Sequence, residues 1–398
     1  MKTKLKNKQE KGITLIALVV TIVVLLILAG VSISLVLNNN GVISKSKEAR
    51  DQYAEAQTND EKQLNEVSDW IDTKVGDSTG GGSDYDPASD GVTIPTGFVY
   101  VGGTKDSGLV ISDNANDKDK YKGQTTVGTD LVGNQFVWIP VNNIADYRRL
   151  MYANQTINDF SETLPNDEKS SVEKNNGYYI GRYEAGDKDS TEAKTLRSSE
   201  AKTDNTITVK ARQAPYNWIS KTQSQSLAEG FSTKQGYTRV KSKLVSSYAW
   251  DTAIAFIEKT NSDYGSSSEE GNYKNSETFT YTGIADTETN KQTKAKGTAT
   301  LIPTGQTTAV NNIYDMGGNV YEWTTESHSG NAFNYTCRGG YFGGDIANRP
   351  AGIRIDCSNF IRQWLWFQDY FILVDSEPRF LWIQIQQKIV HIWKNSLI

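Results

Sequence analysis

From Ile13 to Leu37 the chain carries no charged residue, and this apolar run limits what it can fold into more than any other stretch. At about 1.5 Å per residue, a helix over 13–37 reaches roughly 37 Å, enough to cross a hydrocarbon core of about 30 Å with some tilt. Lys2, Lys4, Lys6, Lys8 and Lys11 precede it. Such a basic flank holds the short N-terminal end in the cytoplasm and sends the following chain outward. The expectation is a single-pass membrane protein with its head outside the cell, at the cell surface. A cleaved secretory peptide fits less well, because its apolar region spans only about 7–15 residues and no A-x-A site follows here.

The residues around Gly12 allow a narrower reading. A Lys-rich leader ending in Gly12, with the apolar helix beginning at once, resembles the class III signal of type IV prepilins and pseudopilins. The run Ile-Thr-Leu-Ile-Ala-Leu-Val-Val-Thr-Ile is similar to that of Gram-positive pilin-like proteins. The resemblance implies cleavage between Gly12 and Ile13 by a prepilin peptidase and N-methylation of Ile13. It also implies a helix that stays in the membrane or packs with other pilins. Pilins usually carry Glu at the fifth mature position, whereas Ala17 stands here, which favours a minor, tip or non-polymerised role.

At 398 residues the chain has room for two or three units. The leader's five Lys and one Glu carry +4 of the net −5, leaving −9 beyond it. An acidic exterior argues against nucleic acid as a partner. Two cysteines, Cys337 and Cys357, are too few for a disulfide-dense scaffold or a Cys-rich zinc module. They could pair outside the cell, a question that spacing does not decide. With only His328 and His391, histidine-based catalysis and metal binding are severely limited.

After the leader (1–12) and the apolar span (13–37), residues 38–75 read as an amphipathic stalk helix. Tyr53 and Ala56, then Leu64, Val67 and Ile71, recur at three- and four-residue steps among charged neighbours, an interrupted apolar stripe. Residues 76–94 form a Gly/Ser/Asp linker. Beyond it, short β-like runs at 97–102, 133–141 and 177–184 read as strands, and 145–152 and 248–259 as helices. In the second of these helices Trp250, Ile254 and Ile257 share one face. The polar stretch 261–296 reads as a surface insertion.

The most specific stretch is Asn311-Asn312-Ile313-Tyr314-Asp315-Met316-Gly317-Gly318-Asn319-Val320-Tyr321-Glu322-Trp323-Thr324. It is followed by Arg338-Gly339-Gly340-Tyr341-Phe342 and then by Ala351-Gly352-Ile353-Arg354. The Gly-Gly-Asn turn permits positive φ and close backbone approach. Asp315 and Glu322 are hard oxygen donors flanking it, a pattern that suits Ca²⁺ with its 6–8 oxygen ligands. The alternative is that both acids cap turns or pair with Arg338 or Arg354. The ordered series resembles the formylglycine-generating-enzyme/sulfatase-modifying-factor family over 95–357, with 136–141, 178–184 and 245–256 fitting its earlier strands and helix. The resemblance implies a C-type-lectin-like fold. It also implies a structural calcium held by the Asp315 and Glu322 side chains and the Gly318 and Val320 carbonyls. The expected fold class is therefore α+β: a long N-terminal transmembrane, pilin-like helix followed by a loop-rich, lectin-like head.

The family's oxidising members carry a cysteine pair between the Arg-Gly-Gly motif and the Arg strand. Here 341–350 holds no cysteine, and Cys337 and Cys357 lie outside that interval. No G-x-S-x-G, P-loop, H-E-x-x-H or C-x-x-C motif occurs either. A non-catalytic head is the expectation, in which Tyr341, Phe342, Asp345, Asn348 and Arg349 form a ligand-binding loop for an extracellular glycan or protein. Tyr341 and Phe342 read equally well as core residues. A structural subunit of a pilus or secretion-like filament is the rival reading, and formylglycine synthesis is disfavoured. The tail at 358–398 departs from the family's ending. It reads as aberrant sequence from a shifted frame, or as closing strands at 371–374 and 380–383.

Overall fold

The computed structural model describes residues 19–28, 85–152, 159–188, 207–217, 219–267, 269–284, 291–328 and 335–357, with the backbone alone of 362–372, 380–384 and 387–389. The chain divides into two compact units, Met1–Gly81 and Gly82–Ile398.

In the first unit a helix, α1, spans 19–28. Its apolar side chains are exposed, from Ile22 at 48% to Leu26 at 66%. At about 1.5 Å per residue it rises roughly 15 Å, half of a bilayer core. Among the described residues no helix is long and apolar enough to cross a membrane. Two expectations are corrected by this. The long N-terminal transmembrane, pilin-like helix of the expected fold class is not found among the described residues. A single-pass membrane protein with a cytoplasmic N-terminus and an external, cell-surface head is likewise not supported. The processing pair Gly12 and Ile13, Ala17, the stalk at 38–75 and the linker up to 84 lie outside the described residues.

The second unit is organised by an eleven-stranded sheet. Its strands are β1 (Val99–Gly102), β2 (Val110–Ser112), β3 (Gln135–Pro140), β4 (Gly177–Glu184), β5 (Lys241–Leu244), β6 (Tyr321–Trp323), β7 (Tyr335–Arg338), β8 (Ile355–Cys357), β9 (Arg362–Ile372), β10 (Phe380–Gln384) and β11 (Gln387–Ile389). The spatial order is β1-β2-β3-β4-β10-β5-β9-β6-β7-β8, with β11 on β9. β1 to β4 form an antiparallel meander in which Val137 faces Val110 on one side and Ile180 on the other. β10 then runs parallel to both β4 and β5, and β9 runs parallel to β6. The head thus combines this sheet with a few helices and long irregular connections, and the described backbone beyond 358 contributes strands within the sheet.

Every residue of β4 is buried, as are the first five of β3, so these strands are covered on both faces. Their sequences combine apolar and aromatic residues, as doubly covered strands require. Among the described residues this unit has three α-helices: α2 (Asn166–Asn175), α3 (Lys221–Lys234) and α4 (Ser247–Ile257). Helix α4 packs on β3. Trp250, Ile254 and Ile257 are fully buried on it, and the Trp250 ring N–H donates to the Ala351 carbonyl at 3.2 Å. The Ser246 side chain accepts from the Ala249 N–H and caps the helix start. Residues 85–94, read as the end of a linker, instead pack on this unit. Tyr85 lies 5.8 Å from the Tyr100 ring, and Val92 is 2% exposed. The weak helix expected over 145–152 is only a 3₁₀ turn at Ile144–Asp146. The polar insertion contains a hairpin, Phe279–Thr282 against Lys291–Lys294.

Candidate functional site

The 311–319 turn is a hub for the surrounding loops. Asn311, Asn312, Asp315 and Asn319 all adopt positive φ, a region that Asn and Asp tolerate better than other side chains. The Asn312 amide donates to the Ser107, Gly108 and Thr125 carbonyls at 3.2, 2.8 and 2.9 Å, and its oxygen accepts the Val127 N–H at 2.9 Å. Asn319 donates to Glu184 and to the Ile302 carbonyl, and accepts from Asn272 at 2.8 Å. At Gly318 (φ +76°) a Cβ would meet the Asn272 backbone. Arg182, fully buried, lies 5.3 Å from both the Tyr183 and Tyr314 rings and donates to the Asn312 and Gly128 carbonyls.

Asp315 and Glu322 are both buried on this hub. Asp315 accepts from the Gly305 N–H at 2.7 Å and the Thr307 hydroxyl at 3.4 Å. Burial pushes its carboxyl up to about 7. The Glu322 carboxylate lies where a Cβ on Gly339 would sit, so only glycine fits there. No group of three or more His, Cys, Asp or Glu that could hold a metal forms among the described residues. Calcium at this turn would therefore depend on two carboxylates plus the Gly318 and Val320 carbonyls. A bound cation would offset the desolvation of these buried carboxylates.

Arg338 and Arg354 do not meet these acids. They converge instead on Asp251 of α4, each through one guanidinium nitrogen, and on Glu326. Arg354 Nε reaches both Glu326 oxygens at 3.1 and 3.0 Å, and Arg149 adds a third contact at 3.1 Å. Asp251 also accepts the Leu150 N–H at 2.8 Å. Arg338, Arg354, Asp251 and Glu326 have side chains with no exposure. The layer is a set of charge-assisted hydrogen bonds in which Arg338 Nη1 alone lacks a hydrogen-bond partner, facing Glu326 at 3.8 Å as an ion pair.

Beside it lies a cleft of about 410 Å³, walled by α2, α3, β5 and the strand ends near Ser161 and Ser327. Glu162 takes the Ser247 N–H at 2.8 Å, along with the Ser247 and Thr325 hydroxyls. Glu168, 1% exposed in the first turn of α2, receives the Tyr147 and Ser246 hydroxyls at 2.7 and 2.6 Å, both on Oε1. Its Oε2 has no hydrogen-bond partner. Burial, aided by Glu326, pushes Glu162 up to about 7; burial, aided by Glu162, pushes Glu168 up to about 8. Nothing in the sequence reading singled out either residue. The one local signal was the acidic first turn after Pro165, which marks a helix start and says nothing of a cleft.

The expected ligand loop lies elsewhere. Tyr341 and Phe342 are half-buried; the Tyr341 ring stacks on Tyr321 at 4.9 Å, and both residues pack against Leu301 and Val320. Asp345 and Asn348 are exposed and Arg349 is partly so. The loop is pinned from several sides. The Phe342 N–H donates to the Asn319 carbonyl at 2.9 Å, the Lys274 N–H to the Gly344 carbonyl at 3.0 Å, and the Ile346 N–H to Asn275 at 3.1 Å. The Asn348 and Arg349 N–H groups both donate to the Asp345 carbonyl. Behind it, Cys337 and Cys357 form a buried disulfide with Cα atoms 6.1 Å apart, linking β7 and β8. A second cavity, about 600 Å³, is lined by Glu269, Glu270, Glu277, Phe279 and Gln306. Neither cavity is lined by residues of the 341–349 loop. No family model, no curated protein and no solved structure matches the chain.

Proposed function

We propose that the domain over 95–357 is a non-catalytic recognition module that presents its 341–349 loop to a glycan or protein ligand. The observation that carries this reading is the pinning of an irregular, partly exposed loop. Backbone bonds from Asn319, Lys274 and Asp345 fix its course, while Asp345 and Asn348 project into solvent beside half-buried Tyr341 and Arg349. A loop ordered before binding forfeits little conformational entropy on contact, and aromatic, Asn and Arg side chains are effective contact residues. The resemblance to the formylglycine-generating family supports a display scaffold rather than its oxidase chemistry. That chemistry needs two thiols after the Arg-Gly-Gly motif, and both cysteines of this chain are held in the buried disulfide. Calcium, on this reading, is a structural ion at Asp315, Gly318, Val320 and Glu322, firming the hub beneath the loop.

The test is to probe glycan and peptide arrays with the full chain and with the triple variant Asp345→Ala/Asn348→Ala/Arg349→Ala. Wild-type signals should fall about tenfold or more in the variant while its melting curve is retained. Signals that survive the triple substitution, or a bound ligand that is chemically turned over, overturn the reading.

A further inference from the structure

The cleft beside the buried charge layer has an acceptor that no group among the described residues satisfies. Glu168 is 1% exposed, lines the cleft, and keeps its two hydroxyl donors on one oxygen. Oε2 is left without a partner. Neither protonation state solves this, since a carboxylate oxygen there needs a donor and a carboxylic O–H there needs an acceptor. Glu162 and Glu229 line the same space, so the walls carry three acids. Lys243 is the one cation among the lining residues, and it is engaged with Asp167 at 2.7 Å. Ser161, Thr163 and Thr325 add hydroxyls around the acids. The volume, about 410 Å³, is within the range of small-molecule sites.

The geometry points to a binding site for a primary ammonium group, with Glu168 Oε2 as the principal acceptor and Glu229 at the rim. An ammonium carries three donors and one compact charge, which fits one buried oxygen flanked by a second carboxylate and hydroxyls. The group could come from a free alkylamine or from a lysine side chain of a partner peptide. The recognition chemistry is the same for both. This site is separate from the 341–349 loop and does not depend on that loop's role.

The groups facing Glu168 set its pH behaviour. They are Glu162 beside it, Tyr147 and Tyr178 behind it, Lys243 from β5 with its partner Asp167, and Glu229 from α3. Glu168 holds its proton up to about 8, so an ammonium binds best once that proton has left. Affinity should therefore rise with pH through that region, until the ligand itself deprotonates at about 10.4.

Isothermal titration of the full chain with n-butylammonium, 1,4-diaminobutane and Nα-acetyl-lysine methylamide tests the site, with Nε-acetylated lysine and tetramethylammonium as controls. Saturable binding of at least one primary amine, absent with both controls, is expected. It should be about tenfold tighter at pH 8.5 than at pH 6.5. Binding by the free amines alone identifies a small-molecule site, and binding by the lysine amide alone identifies a partner side chain. Glu168→Gln, which keeps an acceptor for Tyr147 and Ser246, should weaken binding about tenfold or more. Glu229→Lys, at an exposed position clear of the core, should do the same even if the buried variant melts early. No saturable binding at pH 8.5, equal binding of the controls, or unchanged affinity in Glu229→Lys would overturn the inference.

Discussion

Two clusters of buried charge lie in the same domain and differ in one respect. In the Arg338–Arg354–Asp251–Glu326 layer, both guanidiniums meet both carboxylates, and Glu326 also meets Arg149. In the cleft, Glu162 and Glu168 are fed by hydroxyls and one backbone N–H, with no cation bonded to either. The first cluster is a structural joint between α4, β7 and the segments at 149–150, 326 and 353–354. The second is held in place but left uncompensated. Burial raises the carboxyl groups of the cleft, while the carboxylates of the layer lie against guanidiniums. The difference separates charge used for folding from charge available to a ligand.

The strongest way to break this comparison is to open the layer. Asp251→Ala leaves Arg338 and Arg354 buried with a single remaining counter-ion in Glu326, and also removes the acceptor for the Leu150 N–H. The expected loss is about 3–5 kcal/mol of unfolding free energy in urea titrations. A loss below about 1 kcal/mol would mean that the layer is not the joint described, since surface pairs are worth no more than that.

How little of this layer the sequence exposes follows from where its members lie. Positions 149, 251, 326, 338 and 354 are scattered over two hundred residues, so no local pattern links them. Asp251 reads as one more acid on a helix. The helix itself was legible, because Trp250, Ile254 and Ile257 recur at helical spacing, and so were β1, β3 and β4, rich in aromatic and β-branched residues. Helix α3 was missed because its residues, Lys-Thr-Gln-Ser-Gln-Ser, are polar. Its start was nevertheless marked by the capping box between Ser220 and Gln223. The N-terminal run was read from its hydropathy as one long helix, of which the described residues hold only 19–28, too short to cross a membrane. The 311–319 hub stood out by composition, yet the sequence could not show that Asn312 saturates its side chain on four separate backbone groups.

A second test uses pH. Glu162 and Glu168 have folded values near 7 and 8, above those of an unfolded chain. Between about pH 5 and 7 the folded protein keeps protons that the unfolded chain has released. Stability is then greatest at the acid end and falls as pH rises, by up to about 1.4 kcal/mol per pH unit for each group. Melting curves from pH 5 to 8 should show this decline, and Glu168→Gln should remove roughly one group's share of it. A flat profile in the wild type would show that the cleft is already compensated, and the contrast with the layer would disappear.

Asp315 offers a sharper intermediate case. Its carboxyl is raised like those of the cleft, but it accepts from the Gly305 N–H and the Thr307 hydroxyl. If calcium supplies the missing charge, saturating Ca²⁺ should stabilise the chain by about 1–3 kcal/mol through mass action, and Asp315→Asn should abolish the increment. Identical melting curves with Ca²⁺ and with chelator would place Asp315 with Glu168, as a buried acid that keeps its proton.

The smallest effect on stability is expected at the 341–349 loop, for reasons the two clusters make plain. Asp345 and Asn348 are exposed, and the backbone bonds that fix the loop come from main-chain atoms, Asn275 and Asn319. Removing their side chains leaves no buried charge unpaired and opens no cavity. Asp345→Ala and Asn348→Ala should each change the unfolding free energy by less than about 0.5 kcal/mol. Asp251→Ala and Asp345→Ala thus remove the same carboxylate with opposite expectations, one lost to folding and the other to recognition alone. A destabilisation above about 1 kcal/mol at Asp345 would mean that its carboxylate, and not its carbonyl alone, holds the turn. The loop would then belong with the structural layer rather than with the surfaces free to contact a ligand.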